Sequence, residues 1–140
     1  MAELTAAMKT TDHIKDFINA FTSWASTQPD ILAVALVGSY AREAATEDSD
    51  VDLVVLANDP KRYVENTNWL KRFGQIEKQQ TEDYGKVTSL RVWYVGGHEV
   101  EYGLTTSDWA QLPLDEGTRR VIEDGMRVLF EREALLSPHL

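Results

Sequence analysis

Leu36-Val37-Gly38-Ser39-Tyr40-Ala41-Arg42 continues through a polar stretch ending at Ser49 into Asp50-Val51-Asp52-Leu53-Val54-Val55-Leu56. An apolar run from Ile31 to Val37 leads into the Gly-Ser turn, and a second apolar run follows the Asp-x-Asp pair. Short apolar runs bounded by turn residues read as buried strands. Successive strand side chains point to opposite faces, so Asp50 and Asp52 project together while Val51 points into the core. Two carboxylates on one face repel each other, and their desolvation is costly unless a cation or donors compensate them. A divalent metal is the simplest compensation, because magnesium takes oxygen ligands from one or two carboxylates together with phosphate oxygens and water. Glycine lets backbone approach a phosphate closely, and amides at the start of a helix favour an anion. Gly38 and Ser39 therefore complete a site for a metal-bound nucleoside triphosphate. Each feature alone is commonplace, being a solvated aspartate pair, a turn with a serine N-cap or a surface arginine. Their order and spacing between two strands carries the reading.

At these residues the chain resembles the DNA polymerase beta-like nucleotidyltransferase superfamily, whose signature is an apolar strand, Gly-Ser or Gly-Gly, a short spacer, and Asp-x-Asp or Asp-x-Glu. Gly38, Ser39, Asp50 and Asp52 match it position by position. The wider form, Gly38-Ser39-Tyr40-Ala41-Arg42 followed by Asp48-Ser49-Asp50-Val51-Asp52-Leu53, is similar to a small bacterial branch that includes antibiotic nucleotidyltransferases and minimal antitoxin-type proteins. The resemblance implies an α/β (α+β) nucleotidyltransferase fold, a mixed central sheet flanked by helices, with residues 1–140 as one domain. It implies nucleotide binding by Gly38, Ser39, Arg42 and Ser49, Mg2+ or Mn2+ on Asp50 and Asp52, and ATP or another nucleoside triphosphate as donor.

The same resemblance implies a third carboxylate from a later strand. Ser89-Leu90-Arg91-Val92-Trp93-Tyr94-Val95, Gly96-Gly97 and His98-Glu99-Val100-Glu101-Tyr102-Gly103-Leu104 read as a hairpin, since both central glycines can take positive φ. Glu99, Glu101 and Gly103 share one face of its second strand. Val100-Glu101-Tyr102-Gly103 has the form in which the small branch carries its third acid, so Glu101 is chosen and Glu99 is the alternative. Glu101 would accept the proton of an attacking hydroxyl or help to hold a second metal. His98 stands near enough in sequence to be of interest.

Composition bounds the rest. A chain of 140 residues can bury an ordinary single core. No stretch approaches the ~20 apolar residues of a membrane span, and Met1-Ala2-Glu3-Leu4-Thr5 lacks the blocks of a signal peptide, so the expectation is a cytoplasmic protein without a membrane partner. The absence of cysteine excludes disulfides and cysteine-type zinc sites. A net charge of −9 argues against a nucleic-acid partner, which would need a basic face. A P-loop, a dinucleotide fingerprint and a hydrolase elbow are absent from the sequence.

Outside the motif, Thr11 or Asp12 can cap a first helix whose Ile14, Phe17, Ile18, Phe21, Trp24 and Ala25 share a face, stopped by Gln28-Pro29-Asp30. A short helix is expected near Tyr40, another from Asp59-Pro60 to Phe73 with an interruption, and an edge strand over residues 75–82. Asp115 can cap a last helix ending near Gly125, before an extended Val128-Leu129-Phe130. The four tryptophans read as packing residues, with stacking of one of them on a nucleobase as the alternative.

The expected activity is metal-dependent transfer of a nucleoside monophosphate, AMP from ATP, to a hydroxyl of a small molecule or protein, with release of pyrophosphate. Larger antibiotic-modifying relatives use an additional helical region to form the acceptor pocket, so a homo-oligomer or a separate helical protein could complete it here. The alternatives are an antitoxin-type module that binds, with or without modifying, a helical partner protein, and a nucleotide-binding domain without catalysis. One metal or two, and the preferred base, stay open at this level.

Overall fold

The computed structural model describes residues 2–46, 49–96 and 98–140, with side chains from residue 13 onward. Three helices, α1 (Ala2–Ser26), α2 (Lys61–Glu65) and α3 (Glu116–Asp124), accompany six strands. These are β1 (Ile31–Val37), β2 (Val51–Ala57), β3 (Ile76–Asp83), β4 (Thr88–Tyr94), β5 (Glu99–Thr105) and β6 (Met126–Glu131), with short 3-10 segments at Asn68–Phe73, Ser107–Ala110 and Ser137–His139. The strands form one sheet in the order β3-β4-β5-β2-β1-β6. β2 and β5 are parallel, and the other neighbouring pairs are antiparallel, so the sheet is mixed as expected.

Strand alternation gives the sheet two unlike faces. On one, Ile14, Phe17, Phe21 and Ala25 of α1 pack over Leu36, Leu53, Val55, Val100 and Tyr102. Trp24 stacks on Trp69 with ring centroids 5.3 Å apart at that cover, which makes both packing residues. On the other face Ala33, Ala35, Val37, Val54 and Leu56 lie beneath Trp109, Ala110, Met126 and Leu136. This second cover sits on β1, β2 and β6, and the cleft described below opens beside it, over β5 and β4.

Several expectations need correction. α1 begins at Ala2 instead of Thr11 or Asp12. Residues 2–9 are mostly strong helix formers, so no break arises before those two positions, which lie inside the helix. No helix forms near Tyr40. Gly38 (φ +74°) and Glu43 (φ +58°) bracket a set of turns closed by Ala41 N to Gly38 O at 3.1 Å and Ala44 N to Ser39 O at 2.9 Å. Two left-handed residues so close together leave no room for a helical run. The anion-attracting amides inferred from a helix start are therefore not supplied in that form. The helix expected from Asp59-Pro60 begins at Lys61, with Pro60 in its cap position and no side-chain cap. His98 lies on the α1 side of the sheet, stacked on Tyr94 at 4.9 Å and edge-on to His13 at 5.0 Å, away from Glu101. Glu47, Asp48 and the hairpin glycine Gly97 lie outside the described residues.

Other expectations agree. β3 is an edge strand with mostly exposed side chains. Asp115 Oδ1 accepts a hydrogen bond from Thr118 N at 2.8 Å, capping α3, and Gly125 ends that helix at φ +130°. Among the described residues no helix is long and apolar enough to cross a membrane.

Candidate active site

Two local facts set the first carboxylates. Asp50 immediately precedes β2 and Asp52 lies within it, paired with Val37 of β1, so the pair rises beside the Gly38 turn. The parallel pairing of β2 with β5 then aligns Asp52 with Glu101. Carboxylate oxygens of Asp50, Asp52 and Glu101 all lie within 4.8 Å of one another. Glu99, the alternative third acid, faces Arg91 at 3.4 Å and does not join the group.

Gly38 has a use the sequence did not disclose. A Cβ at this position would stand 2.3 Å from Asp52 Oδ2, so the missing side chain makes room for the carboxylate itself. The backbone also needs glycine here, since its φ is in the left-handed region.

Glu101 is held by two side chains of β4. Its Oε1 accepts from Ser89 Oγ at 2.8 Å, and its Oε2 accepts from Arg91 Nη2 at 3.1 Å. Arg91 is the cross-strand partner of Glu101 and also meets Glu82 and Glu99, each at 3.4 Å. One guanidinium thus offsets three carboxylates. Among the described residues Asp52 has no such cationic partner. Burial, with Asp50 and then Glu101 beside it, pushes its carboxyl up to about 8. With no cation present, Asp52 holds a proton at neutral pH. Three convergent oxygen donors, one of them protonated only for want of positive charge, fit a hard divalent cation.

Asp52 and Glu101 form part of the floor of a cleft of about 680 Å³. Gly38 and Arg42 line one side, and Tyr84, Lys86 and Val87 of the β3–β4 turn line another, with Trp109 and α3 closing the cleft. Lys86 Nζ reaches Asp115 Oδ2 at 2.9 Å, tying that turn to the start of α3. Backbone hydrogen bonding from Thr118, then Lys86, holds the Asp115 carboxyl down at about 2. The aliphatic part of Arg42 rests against Gly125, where a Cβ would meet Arg42 Cγ at 2.9 Å.

The sequence-derived nucleotide residues divide. Gly38 and Arg42 line the cleft, whereas Ser39 and Ser49 are not among the described residues that do so. Ser49 Oγ instead accepts from Thr46 N at 2.8 Å, stapling its own loop. Sequence reasoning missed Ser89, Arg91, Lys86, Asp115 as a partner of Lys86, and the packing of Gly125 on Arg42. The alternation of Ser89 and Arg91 opposite Glu101 was legible once the hairpin register was known, and Gly125 was read only as a helix stop. Among the tryptophans, Trp109 lines the cleft.

Comparison with known proteins places the chain in a family and a fold. The family model described as streptomycin adenylyltransferase matches residues 8–111. Two proteins of Methanocaldococcus jannaschii, both provisionally named protein adenylyltransferases, are 32% identical over 77 and 71 residues, covering 55% and 51% of this chain and 66% and 70% of theirs. An aminoglycoside 6-adenyltransferase structure from Bacillus subtilis superposes with a TM-score of 0.52 at 20% identity, over 64% of this chain and 34% of that one. The structure of Cid1 with the UTP analogue UMPNPP gives a TM-score of 0.50 at 16% identity, over 69% of this chain and 30% of the other. The chain thus spans about a third of these larger structures, and at such identities the likeness concerns the fold. The match over residues 8–111 does more: the chain belongs to the streptomycin adenylyltransferase family, within the nucleotidyltransferase superfamily of enzymes.

Proposed function

We propose that the chain transfers AMP from ATP to a hydroxyl group and releases pyrophosphate, using Mg2+ or Mn2+ held by Asp50, Asp52 and Glu101. The observation that carries this reading is the convergence of those three carboxylates beside the Gly38 turn. A bound metal supplies the positive charge that neutralises the phosphates and the leaving pyrophosphate. Asp50 and Asp52 orient the triphosphate, with Asp52 losing its proton as the nucleotide complex binds. Arg42, on the cleft wall, counters phosphate charge from the protein side. Glu101, fixed by Ser89 and Arg91, stands on the β5 side of the aspartates, where it takes the proton of the attacking hydroxyl or completes the ligand set. The formal charge of −9 disfavours a polynucleotide acceptor, and the provisional names of the archaeal relatives favour a hydroxyl on a protein.

Calorimetric titration with a non-hydrolysable ATP analogue, with and without magnesium, tests the site. Magnesium-dependent binding by the native chain, lost in the Asp50→Asn/Asp52→Asn double variant, is the expected result. Equal binding by the folded double variant, or no binding by the native chain, removes the proposal.

A further inference from the structure

Among the described residues, three hydroxyl-bearing side chains line the cleft that holds Asp52 and Glu101: Tyr84, Ser89 and Thr118. Ser89 and Thr118 are 2% and 3% exposed, and the Ser89 hydroxyl is bound to Glu101. Tyr84 is 58% exposed. Of these three hydroxyls, that of Tyr84 is carried by an exposed side chain on the cleft wall, where an incoming nucleotide can reach it. Its backbone is fixed by Tyr84 N to Val87 O at 2.9 Å and by the neighbouring Gly85 N to Asp83 Oδ1 at 2.9 Å, while its ring stays outside the core.

The tyrosine is wired to the acids. Its hydroxyl donates to Glu82 Oε2; Glu82 Oε1 faces Arg91 Nε at 3.4 Å; and Arg91 Nη2 donates to Glu101 Oε2 at 3.1 Å. Sheet order places these groups in sequence across one face. The Gly38 turn follows β1, Asp52 is on β2, Glu101 on β5, Arg91 on β4 and Glu82 on β3. A nucleotide held beside Gly38 and the aspartates, as in the function proposed above, would direct its phosphates towards Glu101, and Tyr84, in the turn after the edge strand β3, lies across the cleft from the Gly38 turn that follows β1. In-line displacement requires the nucleophile opposite the leaving group. Tyr40 also feels the charge of Asp50, but its ring packs against the α1-side core.

We propose that Tyr84 is itself an acceptor, and that the protein adenylylates this residue within its own cleft. This rests on the nucleotidyltransferase reading above and names a substrate for it. The Tyr84 hydroxyl oxygen bonds to the α-phosphorus of ATP as the bond from that phosphorus to the bridging oxygen of the β-phosphate breaks. Pyrophosphate leaves with the electron pair, and the phenolic proton passes to the Glu82 carboxylate. The product is a tyrosyl-AMP phosphodiester, and ATP is the only co-reactant. Glu82 is placed to act as the base because its carboxylate already accepts the hydrogen bond of the Tyr84 hydroxyl.

The test is intact-protein mass spectrometry of the purified full chain after incubation with ATP and magnesium, with peptide mapping. The expected result is a mass increase of one adenylyl group, mapped to Tyr84 and lost in Tyr84→Phe and in Asp50→Asn/Asp52→Asn. Glu82→Gln should slow labelling at least tenfold while leaving binding of the ATP analogue within twofold of the native chain. A chain that binds the magnesium–ATP analogue yet acquires no label overturns this inference alone. Label on Tyr40 or any other residue, or label that persists in Tyr84→Phe, also overturns it. Label from ATP acquired by a Tyr84-bearing Asp50→Asn/Asp52→Asn molecule when a Tyr84→Phe molecule is added as catalyst overturns the intramolecular geometry. Failure to bind the analogue overturns the function reading beneath it.

Discussion

The smallest side chain at the site imposes the tightest constraint. Gly38 leaves 2.3 Å between a built Cβ and Asp52 Oδ2, and its φ of +74° is strained for any other residue. Gly38→Ala therefore adds a backbone cost of roughly 1 kcal/mol or more and pushes the Asp52 carboxylate from its place. Magnesium-dependent affinity for the ATP analogue should fall at least tenfold, while the circular dichroism spectrum stays that of a folded chain. An unchanged affinity would mean that Asp52 does not need its present position. Residue-scale reading of the sequence identified Gly38 and Asp52 but gave glycine only one of its tasks, the approach of a phosphate. Contact between the two residues depends on the Val37–Asp52 pairing, which joins positions fifteen apart.

At the scale of elements, the first helix shows how far periodicity reaches. Spacing alone assigns Ile14, Phe17, Ile18, Phe21, Trp24 and Ala25 to one face; Ile14, Phe17, Phe21 and Ala25 are buried, and Ile18 and Trp24 are partly buried against the same core. Phe21 is fully buried against Trp24, Trp69, Phe73 and Tyr102. Phe21→Ala should destabilise the protein by about 3–5 kcal/mol, read as a lower urea midpoint. A cost under about 1 kcal/mol would place α1 outside the cooperative core. The helix start was misplaced because Thr11 and Asp12 are cap-forming residue types, and cap chemistry needs the preceding turn to be non-helical. The expected helix after Gly38 failed for a matching reason: a second left-handed residue at Glu43 closes the loop, and glutamate gives no sign in sequence of taking that conformation.

For the molecule as a whole, the acids carry a stability cost that depends on pH. Asp52 sits at about 8 in the folded chain against its ordinary 3.8, so the folded state binds the proton more tightly than the unfolded one. Below the ordinary value both states hold the proton and no cost arises. As pH rises through the interval between the two values, the metal-free fold loses stability, and the loss is complete above the folded value. His98, lowered by burial and by His13, acts in the opposite direction near neutrality, so a variant is needed to separate the two. Without metal, the Tm of the native chain should fall between pH 5 and pH 8 relative to Asp52→Asn, and magnesium with the ATP analogue should close the gap. Parallel Tm curves for the two proteins would remove the protonated-Asp52 account. Sequence alone determined the strand–turn–strand unit, the paired aspartates, the edge character of β3 and the Asp115 cap, because each follows from local periodicity or from a cap a few residues long. Only tertiary structure decided that Glu101 and not Glu99 meets Asp52, that Ser89 and Arg91 hold it, and that Tyr84 shares its cleft. Those choices depend on the parallel register of β2 with β5 and the antiparallel registers of β4 with its neighbours, which are set by packing between residues distant in the chain.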